Sequence, residues 1–259
     1  MKGEAVAIIP ARFDSVRLPG KSLLPLAGIP MIMHVVRRAV QARRVSRVIV
    51  ATDDERIRES VASFNCEAVM TSKSARSGTD RVAEAAASID ADIVVNLQGD
   101  EPLIEPSTID AAIEPLIQNG AVDLATTSEP ITSIEDVFSS NVVKVVTDDR
   151  GDALYFSRSP IPYIRTLPGE SMEEALGRDS RLLSHFRKHS GLYVFRRRFL
   201  LEFARMETSA LERIESLEQL RVLDNGYRIR VIKVNHRAIG VDTRQDYERV
   251  KSIIQESET

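Results

Sequence analysis

Short apolar runs and helix-period segments alternate through the first half of the chain, and few folds accept that alternation. The runs are Ala5–Ile9, Val48–Ala51, Ala68–Met70 and Ile93–Leu97. Between them Pro30–Arg43, Asp54–Phe64 and Thr79–Ser88 read as helices, with Pro30 suited to a first helical turn. Such repetition builds βαβ units, hence a mostly parallel sheet with helices on both faces. The expected class is α/β, a three-layer αβα arrangement. Beyond about residue 120 the pattern changes. Asn141–Val146 and Ala153–Phe156 flank a turn-rich stretch and read as a hairpin. Residues 165–181 are polar and are expected to form a mobile surface loop or lid. Gly191–Phe195 and Tyr227–Val234 read as strands, Leu211–Leu223 and Thr243–Ile254 as helices. One domain is expected, carrying an inserted and mostly antiparallel subregion.

Charge and cysteine content narrow the function classes. The 35 basic and 38 acidic side chains leave a net charge of −3. A nucleic-acid binder shows a basic excess, so that class is disfavoured. Cys66 is the only cysteine, which permits no intrachain disulfide and points to a reducing, cytoplasmic setting. No run approaches the 18 or so apolar residues of a membrane span. Glu4 and Pro10 interrupt an N-terminal run already too short for the core of a signal peptide.

Residues 8–22, IIPARFDSVRLPGKS, carry the strongest functional signal. An apolar strand runs into a loop bearing Arg12, Arg17 and Lys21 around a Pro-Gly turn. In an α/β sheet the carboxyl end of the first strand is a ligand site, and three cations there suit a polyphosphate. Neither standard phosphate motif fits. There is no Gly-x-Gly-x-x-Gly, and in the near P-loop Ser15 replaces the first glycine while Pro19 removes an N–H.

Other positions allow two readings each. Asp100, in Gln98-Gly99-Asp100-Glu101-Pro102 just past a strand, suits either Mg²⁺ or a turn. Asp242 precedes the last helix, where it or Thr243 would cap. Arg76, Ser77, Gly78 and Arg81 open a helix, a place for an anion or a pyrimidine edge as well as for a cap. His189 is one of four histidines and Arg158 lies on a strand; residue type alone leaves both open between structural and binding roles.

The chain resembles the nucleotidyltransferases that activate sugars, in particular the 3-deoxy-D-manno-octulosonate (Kdo) cytidylyltransferases, or CMP-Kdo synthetases. The resemblance rests on blocks in the family's order: IIPARFDSVRLPGKSL, IVATDDERI, VMTSKSARSGTDRVAE, VVNLQGDEPLI, NVVKVV, ALYFSRSPIPY, HSGLYVFR, SLEQLRVLDNGYRIRV and GVDTRQDYERV. It implies a nucleotidyltransferase fold with a nucleotide-binding half over 1–120, a sugar-binding and dimerisation subregion over about 121–235, and a C-terminal helix segment over 236–259. The implied reaction moves CMP from CTP to the anomeric hydroxyl of Kdo, releasing pyrophosphate and activating Kdo for lipopolysaccharide synthesis. Arg12, Lys21 and Asp100 would be catalytic. Arg12, Arg17, Lys21, Arg76, Ser77 and Gln98 would hold CTP, and Asp100 and Asp242 would hold Mg²⁺. Arg158, His189, Tyr193, Glu218 and Gln219 would hold the sugar, in a homodimer. The family has arginine where Lys188 stands, which leaves an anion contact there open. An 8-amino-Kdo or sialic-acid-like substrate is the nearest alternative, and a non-catalytic nucleotide-binding relative the next.

Overall fold

The computed structural model describes residues 5–14, 18–235 and 239–257. The chain opens with β1 (Ala5–Ala11), a small hairpin of β2 (Pro25–Leu26) and β3 (Ile29–Pro30), then α1 (Met31–Gln41), β4 (Val45–Thr52), α2 (Glu55–Ala62), β5 (Glu67–Met70), α3 (Gly78–Ala87), β6 (Ile93–Asn96) and α4 (Pro106–Gln118). It continues through β7 (Leu124–Pro130), α5 (Ile134–Phe138), β8 (Lys144–Thr147), β9 (Ala153–Ser157), α6 (Met172–Arg178), β10 (Arg187–Arg196), α7 (Arg197–Phe203), α8 (Ala210–Glu215), α9 (Leu220–Asp224), β11 (Arg230–Lys233) and α10 (Arg244–Ser257).

The main sheet runs β11-β7-β10-β6-β1-β4-β5. Its β6-β1-β4-β5 portion and the β11-β7 pair are parallel; β10 lies antiparallel between β6 and β7. The β8-β9 hairpin leans on β10. The mainly parallel sheet expected from the sequence is therefore present, and its antiparallel part belongs to that same sheet. Side-chain alternation along β1 explains the three layers. Ala5, Ala7 and Ile9 pack with Val35 of α1, Ile57 of α2 and Ile113 of α4, whereas Val6 and Ile8 pack with Val82 of α3 and Phe199 of α7. Both sets are essentially fully buried.

Two smaller cores position functional segments. Val241, Tyr247, Val250 and Ile254 pack on Leu26 and Met31, docking α10 beside the first loop. Met172 and Leu176 of α6 pack on Ile131, Val137 and Phe186. That corrects the loop or lid expected over 165–181, since half of the segment is a packed helix. Ser171 and Glu174 form its capping box. The single helix expected over Leu211–Leu223 is also corrected. Ser216, in the left-handed conformation at φ 53° and ψ 49°, divides it into α8 and α9.

Candidate active site

Four loops at the carboxyl edge of the parallel strands meet in one cleft of about 560 Å³, one of them the β5–α3 loop that carries Ala75, Arg76 and Ser77. The first follows β1. There Gly20 adopts φ 66°, and a Cβ on it would stand 3.3 Å from the Phe13 ring, so the turn that presents Lys21 needs glycine twice over. The second follows β6, where a Cβ on Gly99 would lie 3.2 Å from the Pro10 carbonyl. The third precedes α10 and is tied to the second by the Val241 N–H, which donates to the Asp100 carbonyl at 2.8 Å.

The charged side chains converge. Lys21 Nζ donates to Asp100 Oδ2 at 2.6 Å and to Asp242 Oδ1 at 3.1 Å, across 79 and 221 positions of sequence. The cap and the carboxylate at this loop are separate residues. Thr243 Oγ1 accepts the Asp246 N–H at 3.2 Å and caps the helix, while the Asp242 carboxylate turns inward. Among the described residues no group of three or more acidic, histidine or cysteine side chains could hold a metal alone. Two carboxylates that meet on one cation nevertheless fit Mg²⁺, which takes one or two carboxylates and completes its shell from water and substrate phosphates.

Arg12 is exposed on the cleft wall. Arg76 is exposed too and pairs with Asp80 at 3.2 Å. Ser77 caps α3, its Oγ accepting the Asp80 N–H at 3.0 Å, which leaves its hydroxyl proton for a ligand. Arg81 forms part of the cleft floor, held by Asp53 at 2.7 Å and Thr71 at 2.5 Å. Arg17 lies outside the described residues, as does His236.

Gln98 joins this cleft to the predicted sugar side. Its Nε2 donates to the Gly191 carbonyl at 3.2 Å, and a Cβ on Gly191 would stand 3.1 Å from Gln98 Cγ. Gly191 and Leu192 form a bulge in β10: Ser190 faces Thr127, yet Tyr193 faces Thr126. The bulge sets His189 and Tyr193 side by side, ring centroids 5.3 Å apart. Tyr193 pairs in register with Asn96, Asn96 Nδ2 donates to Thr79 Oγ1 at 3.0 Å, and Thr79 donates to Glu218. Among the described residues Asn96 Oδ1 and Gln219 Nε2 are buried with no hydrogen-bond partner, each costing about 1–3 kcal/mol if left so. His189, Tyr193 and Glu218 thus belong to one polar cluster, and Gln219 is buried next to Glu218 in the chain. Arg158 does not join it; its guanidinium bonds to main-chain carbonyls.

Electrostatics assign His189 a neutral role. Thr126 Oγ1 donates to the Leu192 carbonyl at 2.7 Å and lies 2.9 Å from His189 Nε2. Packing among Phe156 and Tyr193 desolvates the ring and lowers its pKa to about 3. Desolvation also raises Glu218, against the pull of the Thr79 hydroxyl and Arg221. Burial, then the Glu218 charge, raises the Tyr193 phenol. Sequence reasoning passed over Asn96, Thr79 and Thr126, because a polar residue at a strand end or first helical turn carries no local mark of its long-range partner.

His189→Ala is expected to raise the KM for the sugar acid more than the KM for CTP. The wild-type sugar KM should show no inflection near pH 6.5, since the ring stays neutral there. Its linkage to stability has a definite sign. The unfolded histidine protonates near 6.5 and the half-buried, desolvated one near 3. This contribution is therefore complete above pH 6.5 and is lost as pH falls toward 3. Steady-state kinetics and thermal melts across pH 5–8 check both; a selective loss of CTP affinity would contradict the placement.

Comparison with known proteins follows the same lines. The sequence profile of the family described as Cytidylyltransferase matches residues 6–230. The chain belongs to the cytidylyltransferase family. It is 54% identical over 244 residues to the 3-deoxy-manno-octulosonate cytidylyltransferase of Geobacter sulfurreducens, covering 94% of this chain and 96% of that protein. It is 55% identical to the protein of that name from Geobacter metallireducens, covering 94% and 95%. A solved structure of CMP:2-keto-3-deoxy-manno-octonic acid synthetase complexed with CTP matches at TM-score 0.89 and 40% identity, covering 98% of this chain and 99% of its own.

Proposed function

We propose that this protein transfers CMP from CTP to the anomeric 2-hydroxyl of Kdo, releasing pyrophosphate and supplying an activated sugar for lipopolysaccharide assembly. The observation that carries this reading is the meeting of Lys21, Asp100 and Asp242, within 3.1 Å contacts, in a family member so similar to proteins named for that transfer. The sugar hydroxyl attacks the α-phosphorus in line, its oxygen forming the new P–O bond while the α–β bridging oxygen leaves with pyrophosphate. Arg12 and Lys21, with Arg17 of the same loop, neutralise the triphosphate. Lys21 balances the two carboxylates until phosphate oxygens offer it new partners. Mg²⁺ held by Asp100 and Asp242 would supply charge stabilisation at the α-phosphate and acidify the attacking hydroxyl. Ser77, Arg76 and Gln98 orient the nucleotide; His189, Tyr193, Glu218 and Gln219 orient the sugar, so positioning supplies much of the catalysis.

A homodimer accompanies this reading. Leu154, Tyr163, Leu167 and Ile214, all in the 121–235 subregion, are 62–80% exposed, and a second copy would cover such apolar surface. The reaction itself is tested by pyrophosphate release with CTP and a panel of Kdo, 8-amino-Kdo and a sialic acid. Kdo should give the highest kcat/KM. Preference for another acid would replace the substrate, and no release with any of them would leave a nucleotide-binding protein without transfer activity.

A further inference from the structure

Arg158 sits in a dense set of main-chain contacts. Its Nε donates to the Glu215 carbonyl at 2.7 Å, Nη1 to the Ser140 carbonyl at 2.8 Å and Nη2 to the Ser216 carbonyl at 3.4 Å. The Glu215 carboxylate answers, accepting the Arg158 N–H at 2.9 Å through one oxygen and the Ser157 hydroxyl at 2.7 Å through the other. Lys144 completes the set. Although fully buried, its ammonium donates to the carbonyls of Ser139 at 2.8 Å, Val142 at 2.6 Å and Arg158 at 2.6 Å. Three carbonyls satisfy all three ammonium donors. The end of β9 is thus bound to residues 139–142 on one side and to 215–216 on the other.

The second attachment falls on the joint between α8 and α9. Ser216 holds a left-handed conformation there, one that side chains other than glycine and asparagine seldom adopt without support. Beyond it Leu217 enters the core, Glu218 reaches Thr79, and Gln219 places a buried amide with no hydrogen-bond partner among the described residues. A small change at residue 216 would swing both polar side chains.

We propose that Arg158, with Glu215 and Lys144, clamps the 215–216 joint and so positions Glu218 and Gln219, rather than binding substrate itself. The inference rests on the reading that Glu218 and Gln219 face the sugar. Arg158 is on this account a positioning residue that tunes the sugar half of the site alone.

Steady-state kinetics on Arg158→Ala, Glu215→Ala, their double variant, Arg158→Lys and Gln219→Ala test it, each sample first shown to unfold cooperatively. If Glu215→Ala does not fold, the comparison of Arg158→Ala with Arg158→Lys carries the test. Each clamp variant should raise the KM for Kdo about tenfold, as displacement of a positioning group does, with the KM for CTP within about twofold of wild type. The double variant should be no worse than the worse single, because both loosen one joint. Arg158→Lys keeps the charge but cannot span three carbonyls, so it should behave like Arg158→Ala. Recovery by Arg158→Lys, a silent Glu215→Ala, or a multiplicative double variant would overturn the clamp. A raised KM in Gln219→Ala beside silent clamp variants contradicts the clamp alone. A wild-type KM in Gln219→Ala contradicts the sugar assignment beneath it.

Discussion

Asp100→Asn is expected to remove most pyrophosphate release from CTP and Kdo while leaving the fold nearly as stable as before. The stability half follows from the geometry. Asp100 meets Lys21 at 2.6 Å, in a pair whose side chains are 15% and 28% exposed. Such partly exposed pairs contribute roughly 0–1 kcal/mol, and Asn preserves volume and a carbonyl oxygen. Lys21 also retains Asp242 at 3.1 Å, so no cation is orphaned. A melting shift below about 4 °C is expected for a chain of this size. The activity half is larger because the carboxylate would hold the Mg²⁺ that meets the charge developing on the phosphate. Losing one such group typically costs 10²–10³ in kcat, about 2.7–4 kcal/mol. Asp242→Asn should cost similarly, and the double variant should be little worse than either single, since each removal breaks the same constellation. Losses that multiply would mean that the two carboxylates act separately.

Lys21→Ala is expected to lower kcat/KM for CTP by at least ~1.5–3 kcal/mol, or about 10- to 150-fold, with the fold retained. Losing a charge-assisted contact to phosphate sets that scale. The substitution has a second consequence: it leaves the Asp100 and Asp242 carboxylates together without their shared ammonium. Both keep solvent access, at 28% and 46% side-chain exposure, so water screens the repulsion and the chain still folds. Initial rates across CTP concentrations decide the matter. A wild-type kcat/KM for CTP would exclude the β1 loop from the triphosphate site.

Much of this organisation is legible in the sequence, and the residues show where legibility stops. The alternation Ala5-Val6-Ala7-Ile8-Ile9 sends side chains into two separate cores, which is what a strand buried on both faces requires. Gly20 and Lys21 are readable because a turn glycine beside a cation carries its chemistry locally. Thr243 announces a cap, but only the fold shows that Asp242 turns across 221 positions to Lys21. Ser171 and Glu174 held the signature of a helix start inside a segment whose polarity suggested a loop. Pro115 obscures α4, since proline in a helix interior argues against the element that contains it. The break at Ser216 could not be read at all. Local propensity favours one helix, whereas the left-handed joint is closed by the Ser216 and Leu217 N–H groups on the Glu212 carbonyl and contacted by Arg158, 58 residues away. Arg158 illustrates the general limit: residue type suggests an anion partner, and only the fold shows its guanidinium on the main-chain carbonyls of Ser140, Glu215 and Ser216.

The most direct test of the account is Mg²⁺-titrated pyrophosphate release by Asp242→Asn, measured with CTP and Kdo on the same sample whose melting midpoint is recorded. Because Thr243 provides the cap while Asp242 faces Lys21, the account predicts an almost unchanged midpoint with turnover largely lost at Mg²⁺ concentrations that saturate the wild type. Normal turnover at ordinary Mg²⁺ would remove Asp242 from the active site and contradict the constellation on which the proposed reaction depends.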